Sequence, residues 1–197
     1  MLFALPGAEP VPGLRHLHSH IDPGKQEDLL HSIDGLPWRM DLKRRVQHYG
    51  YRYDYRRRTV DSDSRTTPLP DWARELAARF RHEGLAPAVF NQLIVNEYLP
   101  GQGISPHVDC RPCFDATILS VSLGSPCMFV MRHTDTAETR EILLEPGDVL
   151  VMTGEARYDW QHGIPPRKTD RIAGRRISRG RRVSLTFRRV AGGLPDG

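Results

Sequence analysis

Cysteine is scarce: the chain has three in 197 residues, an odd number. Secreted scaffolds held by a disulfide framework carry more, in pairs, so that class is excluded and a reducing cytoplasm is the expected location. No apolar run approaches the ~20 residues that a membrane-spanning helix needs. The apolar start, MLFALPG, lacks the basic segment and long apolar stretch of a secretory signal. Internal repeats are absent, which excludes solenoids and propellers. An acidic surplus is absent too: 28 Lys and Arg against 24 Asp and Glu leave a net charge of +4. The length suits one domain with a substantial core, expected to act as a monomer.

Chemistry-bearing residues are concentrated in the second half. Phe90 to Tyr98 (FNQLIVNEY) reads as a buried strand that runs into the turn cluster Leu-Pro-Gly-Gln-Gly at 99 to 103. His107 and Asp109 follow. Residues two apart on a strand share a face, so His107 would present its ring beside the Asp109 carboxylate, as Asn96 would sit beside Tyr98. A second strand-like run, DVLVMT at 148 to 153, precedes His162, whose neighbour Gly163 permits close backbone approach. Two imidazoles and one carboxylate on one face of a metal leave three positions open, which suits Fe(II) chemistry with O₂. On its own, His-x-Asp is equally a polar turn after a strand.

Near the C-terminus Arg182, Ser184, Thr186 and Arg188 alternate with Val183, Leu185 and Phe187, the period of a strand with one polar face. If that face is interior, two arginines on it need anions, because buried unpaired charge is costly. A dicarboxylate meets the need through forked, charge-assisted bonds. The face could instead meet solvent or nucleic acid.

The remaining segments set out an organisation. Residues 1–35 read as a leader followed by a short helix over 24–33, and His16, His18 and His20 alternate as in a solvated or packed strand that could also hold an adventitious metal. Residues 36–84 read as a lid hairpin over Trp38 to Val60 and a supporting amphipathic helix over 71–81. That helix has Trp72, Leu76 and Phe80 on one face and Asp71 as N-cap. Residues 85–190 carry strands over 90–98, 117–123, 126–132, 139–144, 148–153 and 182–190, separated by turns such as Glu145-Pro-Gly-Asp148. Cys110 and Cys113 are expected to line the pocket and pack rather than to bind zinc, since no second ligand pair lies at zinc spacing.

Basic charge is uneven, dense at Arg56-Arg57-Arg58 and from Arg167 through Arg189. Such clusters suit a phosphate backbone. Tyr49, Tyr51, Tyr53 and Tyr55 alternate just before the first cluster, which fits stacking of unpaired bases and equally fits a hairpin with its tyrosine face on the core.

Taken in order and spacing, Asn96-x-Tyr98-x-x-Gly101, His107-x-Asp109, His162 and Arg182-x-Ser-x-Thr-Phe-Arg188 resemble the AlkB family of Fe(II)/2-oxoglutarate dioxygenases. The resemblance covers residues 85 to 190 well and the region from Leu36 more weakly. It implies a mainly β fold: a double-stranded β-helix, or jelly roll, with buttressing helices and an N-terminal lid region. It implies Fe(II) held by His107, Asp109 and His162, with no catalytic residue beyond the iron centre. It implies 2-oxoglutarate held at its far carboxylate by Arg182, Asn96 and Tyr98, with Ser184 beside them and Arg188 near the chelating end, and O₂ as co-substrate. The family usually carries asparagine where Ser184 stands. Its bacterial founding member carries an acidic residue where Arg111 stands, so that member's base preference is not transferred. Substrate contacts are expected from Trp38, Tyr51, Tyr53 and Arg111.

Three stretches, 43–51, 98–104 and 150–158, resemble the oxygenase domain of a eukaryotic family member that hydroxylates a modified wobble uridine in tRNA. The implied activity is oxidative demethylation of alkylated bases in DNA or RNA, presented single-stranded or flipped, with release of formaldehyde, succinate and CO₂. Hydroxylation of a modified tRNA base is the alternative, and a protein-directed oxygenase a more distant one.

Overall fold

The computed structural model describes residues 11–40, 44–52, 60 and 64–190. Two antiparallel sheets carry the fold. The larger one runs in the order β1 (Leu14–Leu17), β8 (Val149–Met152), β5 (Ile118–Gly124), β12 (Arg182–Arg188), β3 (Gln92–Tyr98) and β2 (Val46–Tyr49). The smaller one runs β4 (Ile104–His107), β9 (Trp160–Ile164), β6 (Cys127–His133), β7 (Thr139–Leu144). A separate hairpin pairs β10 (Thr169–Ile172) with β11 (Arg175–Ser178). From β3 to β9 the chain passes back and forth between the two sheets, with β6 and β7 the one consecutive pair kept in the same sheet, as in the expected jelly roll.

The period-two pattern decides which face each residue serves. Leu93 and Val95 of β3, Leu119, Val121 and Leu123 of β5, and Val183, Leu185 and Phe187 of β12 pack into one cluster with two helices. These are α1 (Pro23–Asp34), through Leu29 and Ile33, and α2 (Asp71–His82), through Ala73, Leu76, Ala77 and Phe80. Phe80 meets the Phe187 ring edge-on at 5.7 Å, and full burial of each such ring contributes about 1.5–3 kcal/mol. The opposite faces of β5 and β8 (Ile118, Leu150, Met152) meet Phe129, Met131, Ile142, Leu144 and Trp160 of the smaller sheet in a second cluster. That inter-sheet space contains the site.

Several expectations are corrected here. Asp71 is the first residue of α2 and not its cap; Pro70 holds the cap position without a side-chain bond. The Asp71 carboxylate still lies at the positive end of the helix dipole. Cys110 and Cys113 are joined by a disulfide, with Cα atoms 5.3 Å apart. Both pack with Tyr51, Phe114 and Val190, so neither lines the pocket. The odd count argues against a framework of many bridges, but a local Cys-x-x-Cys turn can pair without one. From the expected lid segment, β2 joins the edge of the larger sheet beside β3. Tyr53, Tyr55 and Arg56 to Arg58 lie outside the described residues.

On the helix side of β3, the buried Glu97 carboxylate accepts bonds from Arg45 and from Arg181, each at 2.6 Å. Arg181 also reaches Asp34 at the end of α1, and the Arg45 guanidinium lies 4.8 Å over the Trp38 ring. This network ties α1, β2, β3 and the start of β12 together.

Candidate metal and dicarboxylate site

Backbone pairing brings the two histidines together. His107 on β4 lies opposite His162 on β9, with ring centroids 4.5 Å apart. A Cβ on Gly163 would lie 2.9 Å from the Ile104 carbonyl oxygen, so the absence of a side chain there lets β4 close on β9. Asp109 does not share a strand face with His107, because β4 ends at His107. Pro106 and an irregularity between Ile104 and His107 interrupt the ladder. Two buried arginines hold Asp109 instead. Arg188 donates to Oδ1 at 2.6 Å, and Arg157 on α3 (Gly154–Tyr158) donates to the carbonyls of Asp109 and Cys110, both at 3.0 Å.

One ligand atom from each of His107, Asp109 and His162 lies within 4.8 Å of the others, and Asp109 Oδ2 is 3.6 Å from His162 Nε2. That Oδ2 is buried and, among the described residues, has no hydrogen-bond partner, an arrangement that a cation would satisfy. Burial alone would raise the Asp109 carboxyl. Arg188, with His162 and His107, outweighs burial and holds it at about 2. Burial and the neighbouring His107 push His162 down to about 3, so its imidazole is neutral and able to ligate. His107 Nδ1 lies 2.9 Å from the Ser105 carbonyl oxygen and donates to it, which leaves Nε2 as the lone-pair nitrogen. Phe129 stacks on the His162 ring at 5.7 Å. The residues fit a divalent metal of the non-haem iron type.

A cavity of about 530 Å³ opens beside the triad, lined by Ile94, Ile104, Met152 and Ile164 together with polar groups of β3 and β12. Arg182 is 3% exposed and its side chain, among the described residues, makes one hydrogen bond, from Nη2 to Ser122 Oγ at 2.8 Å; its Nε and Nη1 are buried and find no partner among those residues. A buried guanidinium with two idle donors and no paired carboxylate calls for an anion. Tyr98 lies under both Arg182 and Arg44, each 5.5 Å from its ring centre. Arg44 also donates to Asn96 Oδ1 at 2.9 Å, which fixes that amide. Ser184 Oγ pairs with Ser120 Oγ at 3.2 Å on the same wall.

The structure therefore gathers His107, Asp109, His162, Asn96, Tyr98, Arg182, Ser184 and Arg188 around one cavity. It places three other expected residues elsewhere. Trp38 packs on the helix-side cluster, Tyr51 is buried with the disulfide, and Arg111 bonds the Tyr158 carbonyl at the surface. Tyr53 lies outside the described residues. Arg44, Arg157 and Phe129 were not anticipated. Arg44 and Arg157 fall in the stretches that carry the tRNA-enzyme resemblance, a signal that gave them no role.

A jelly roll with a two-histidine, one-carboxylate triad and a buried, anion-seeking arginine defines an Fe(II)/2-oxoglutarate-dependent dioxygenase. The sequence pattern of the 2OG-Fe(II) oxygenase superfamily matches residues 25–188. The chain is 31% identical over 163 residues to the alpha-ketoglutarate-dependent dioxygenase alkB homolog 7 of Bos taurus, covering 80% of this chain and 73% of that protein. It is 36% identical over 203 residues to the alkylated DNA repair protein ALKBH8 homolog of Arabidopsis thaliana. It is equally identical to tRNA (carboxymethyluridine(34)-5-O)-methyltransferase alkbh8 of Xenopus tropicalis. The match covers 91% of this chain but spans only 59% and 32% of those two proteins. The solved structure of OsALKBH1 shares the fold with a TM-score of 0.68 at 20% identity, over 91% of this chain and all of that one. The chain belongs to the 2OG-Fe(II) oxygenase superfamily and, within it, to the AlkB family.

Proposed function

We propose that this dioxygenase oxidises a carbon substituent on a nucleobase, with a modified base of tRNA as the first candidate and N-methylated bases of DNA or RNA as the second. Iron and 2-oxoglutarate together supply the oxidising power, converting substrate C–H, O₂ and 2-oxoglutarate to C–OH, succinate and CO₂. His107, Asp109 and His162 would hold the metal. Arg182, with Tyr98, Asn96 and Ser184 beside it, would hold the far carboxylate, and Arg188 would fix the Asp109 carboxylate while facing the near one. Ile94, Ile104, Met152 and Ile164 contribute apolar surface to the same cavity, which would limit water beside the metal.

Both activities need the same step at the site and differ in what the substituent is attached to. A hydroxyl on a carbon bonded to ring nitrogen collapses, releasing formaldehyde. One on a carbon-linked substituent stays. The observation that carries a nucleic-acid substrate is the β10–β11 hairpin, which follows β9 after a short loop and presents Arg171, Arg175 and Arg176, all exposed. Its base adjoins the loop after β3, where Gly101 donates to the Arg167 carbonyl. A basic arm beside an open cavity suits a phosphate backbone whose base is turned inward. The tRNA reading is supported by likeness to the Xenopus protein, which is named for a tRNA modification, and the demethylase reading by likeness to the Arabidopsis one, which is named for repair of alkylated DNA.

The test supplies Fe(II), 2-oxoglutarate and O₂ with bulk tRNA and with methylated DNA and RNA oligonucleotides, then reads nucleoside masses. One added oxygen on a tRNA nucleoside is the expected result. Loss of a methyl mass with formaldehyde would select the second reading. Steady succinate with every nucleoside unchanged would refute both and point to a protein or small-molecule substrate.

A further inference from the structure

Outside the catalytic cavity a second set of metal-ligand side chains converges at the edge of the larger sheet. His16 lies on β1, and His18 stands two residues on, just past the end of that strand. The turn there brings the two rings together, with centroids 3.9 Å apart. They meet Asp148, which precedes β8. Its Oδ2 lies 2.8 Å from His16 Nε2 and 3.7 Å from His18 Nδ1. One ligand atom from each of the three residues lies within 4.8 Å of the others.

The carboxylate is preset. Asp148 is 1% exposed; its Oδ1 accepts the Ser19 N–H and its Oδ2 the Glu145 N–H, both at 2.9 Å. Ser19 delivers that N–H from a left-handed backbone, φ +48°. A non-glycine residue adopts this conformation only where its surroundings compel it. His20 is drawn the other way, to Glu83 at 2.8 Å, and takes no part. Zinc–nitrogen and zinc–oxygen bonds of ~2.0–2.2 Å set tetrahedral ligand separations of about 3.4 Å. The observed 2.8 and 3.7 Å straddle that value; the larger change, about 0.6 Å, falls on the His16–Asp148 pair, and the exposed His18 (69%) needs less.

We propose that His16, His18 and Asp148 form a second divalent-metal site, of zinc type, that fastens the edge strand β1 to the turn entering β8. Two imidazoles and one carboxylate favour zinc or a similar transition metal over calcium or magnesium, which prefer all-oxygen cages. Three protein ligands leave a fourth position, which opens to solvent beside His18 and takes water. The bound ion replaces the single His16–Asp148 hydrogen bond with three coordinate bonds. Among the described residues β1 pairs with β8 alone, so the ion adds a cross-link where the sheet has one ladder.

The test uses zinc alone on the full chain, with bound metal measured after equilibrium dialysis. Wild type holds two equivalents. The variant His107→Ala with Asp109→Ala holds one, because only the catalytic site is lost. Adding His18→Ala to that background removes the remaining equivalent. Zinc raises the Tm of the His107→Ala, Asp109→Ala variant by about 5 °C when supplied well above Kd, and leaves the Tm unmoved once His18 is gone. His18 is exposed, so its replacement does not endanger folding, whereas Asp148→Asn would remove a buried turn cap. Retention of zinc by the triple variant, or no zinc in the double variant, overturns the proposal.

Discussion

Replacing Arg182 with methionine should weaken 2-oxoglutarate binding while leaving the co-substrate-free protein no less stable. The two effects have opposite origins. Arg182 is 3% exposed, with Nε and Nη1 unpartnered among the described residues and one bond to Ser122. In the free protein its charge is desolvated without compensation, which costs several kcal/mol by rough estimate. Against that stand one charge-assisted bond, about 1.5–3 kcal/mol, and the Tyr98 ring, about 1–2 kcal/mol. A methionine of similar volume gives up both gains and removes the cost, so the net change is about zero. In the complex the guanidinium meets a carboxylate, and truncating one partner of such a buried pair costs about 2–5 kcal/mol. A mid-range ~3 kcal/mol is a loss of roughly 150-fold in affinity. The assay is anaerobic calorimetric titration with Mn²⁺ in place of iron, comparing 2-oxoglutarate with 2-oxobutanoate, which lacks the far carboxylate. Wild type should prefer 2-oxoglutarate strongly, and Arg182→Met should bind both acids about equally. If the variant loses affinity for both acids by the same factor, or keeps its preference, the placement of the far carboxylate on Arg182 is wrong.

Three further predictions rest on other parts of the structure. Glu97→Gln should cost about 2–3 kcal/mol at neutral pH, less than a fully dry pair because its partners Arg45 and Arg181 are 40% and 33% exposed. The Arg45 bond, opposed by burial and reinforced by Arg181, holds the Glu97 carboxyl below its ordinary 4.5. Its contribution is therefore complete above that value and fades as pH falls through the folded one, so denaturation curves of wild type and variant should converge in acid. Gly163→Ala should lower iron-dependent turnover by about 10–100-fold without removing a ligand, because the new Cβ pushes β4 and His107 away from His162; unchanged turnover would refute that packing argument. Reducing the Cys110–Cys113 bridge should lower stability by about 2 kcal/mol, the chain-entropy value for so short a loop, or about 4–8 °C in Tm. Alkylation of both cysteines without reductant would show the bridge absent.

How much of this was legible in the sequence depended on whether the signal was local. The apolar run at 90–98, the strand-like run at 117–123 and the alternation that opens 182–190 became β3, β5 and β12, with their ends moved by one or two residues. The four-residue spacing of Trp72, Leu76 and Phe80 marked α2 in the same way. β4 was hidden because its four residues, Ile-Ser-Pro-His, include a proline and are at least partly exposed. β11, whose residues are all exposed, has no apolar face to betray it. At the site, the ligands were legible from residue type and order, but the cause of Asp109's position was not. Strand periodicity put it beside His107, whereas Arg188 and Arg157, 79 and 48 residues away, hold it. Arg44 reaches Asn96 across 52 residues. Contacts of that range leave no periodic trace, which is also why the tyrosine and tryptophan side chains expected at the substrate could not be placed.

The two halves of the catalytic site sit at different depths in the hydrogen-bond network. β12, which carries Arg182, Ser184 and Arg188, is paired along both sides by β3 and β5. β4, which carries His107, is the outer strand of its sheet and, among the described residues, pairs only with β9. Amide exchange should therefore be slowest along β12, released only by global opening, and much faster along β4. As the fold loosens from its edges, His107 departs first while the arginine strand stays closed. A partly opened chain of this kind can still hold a dicarboxylate after it has lost its grip on iron.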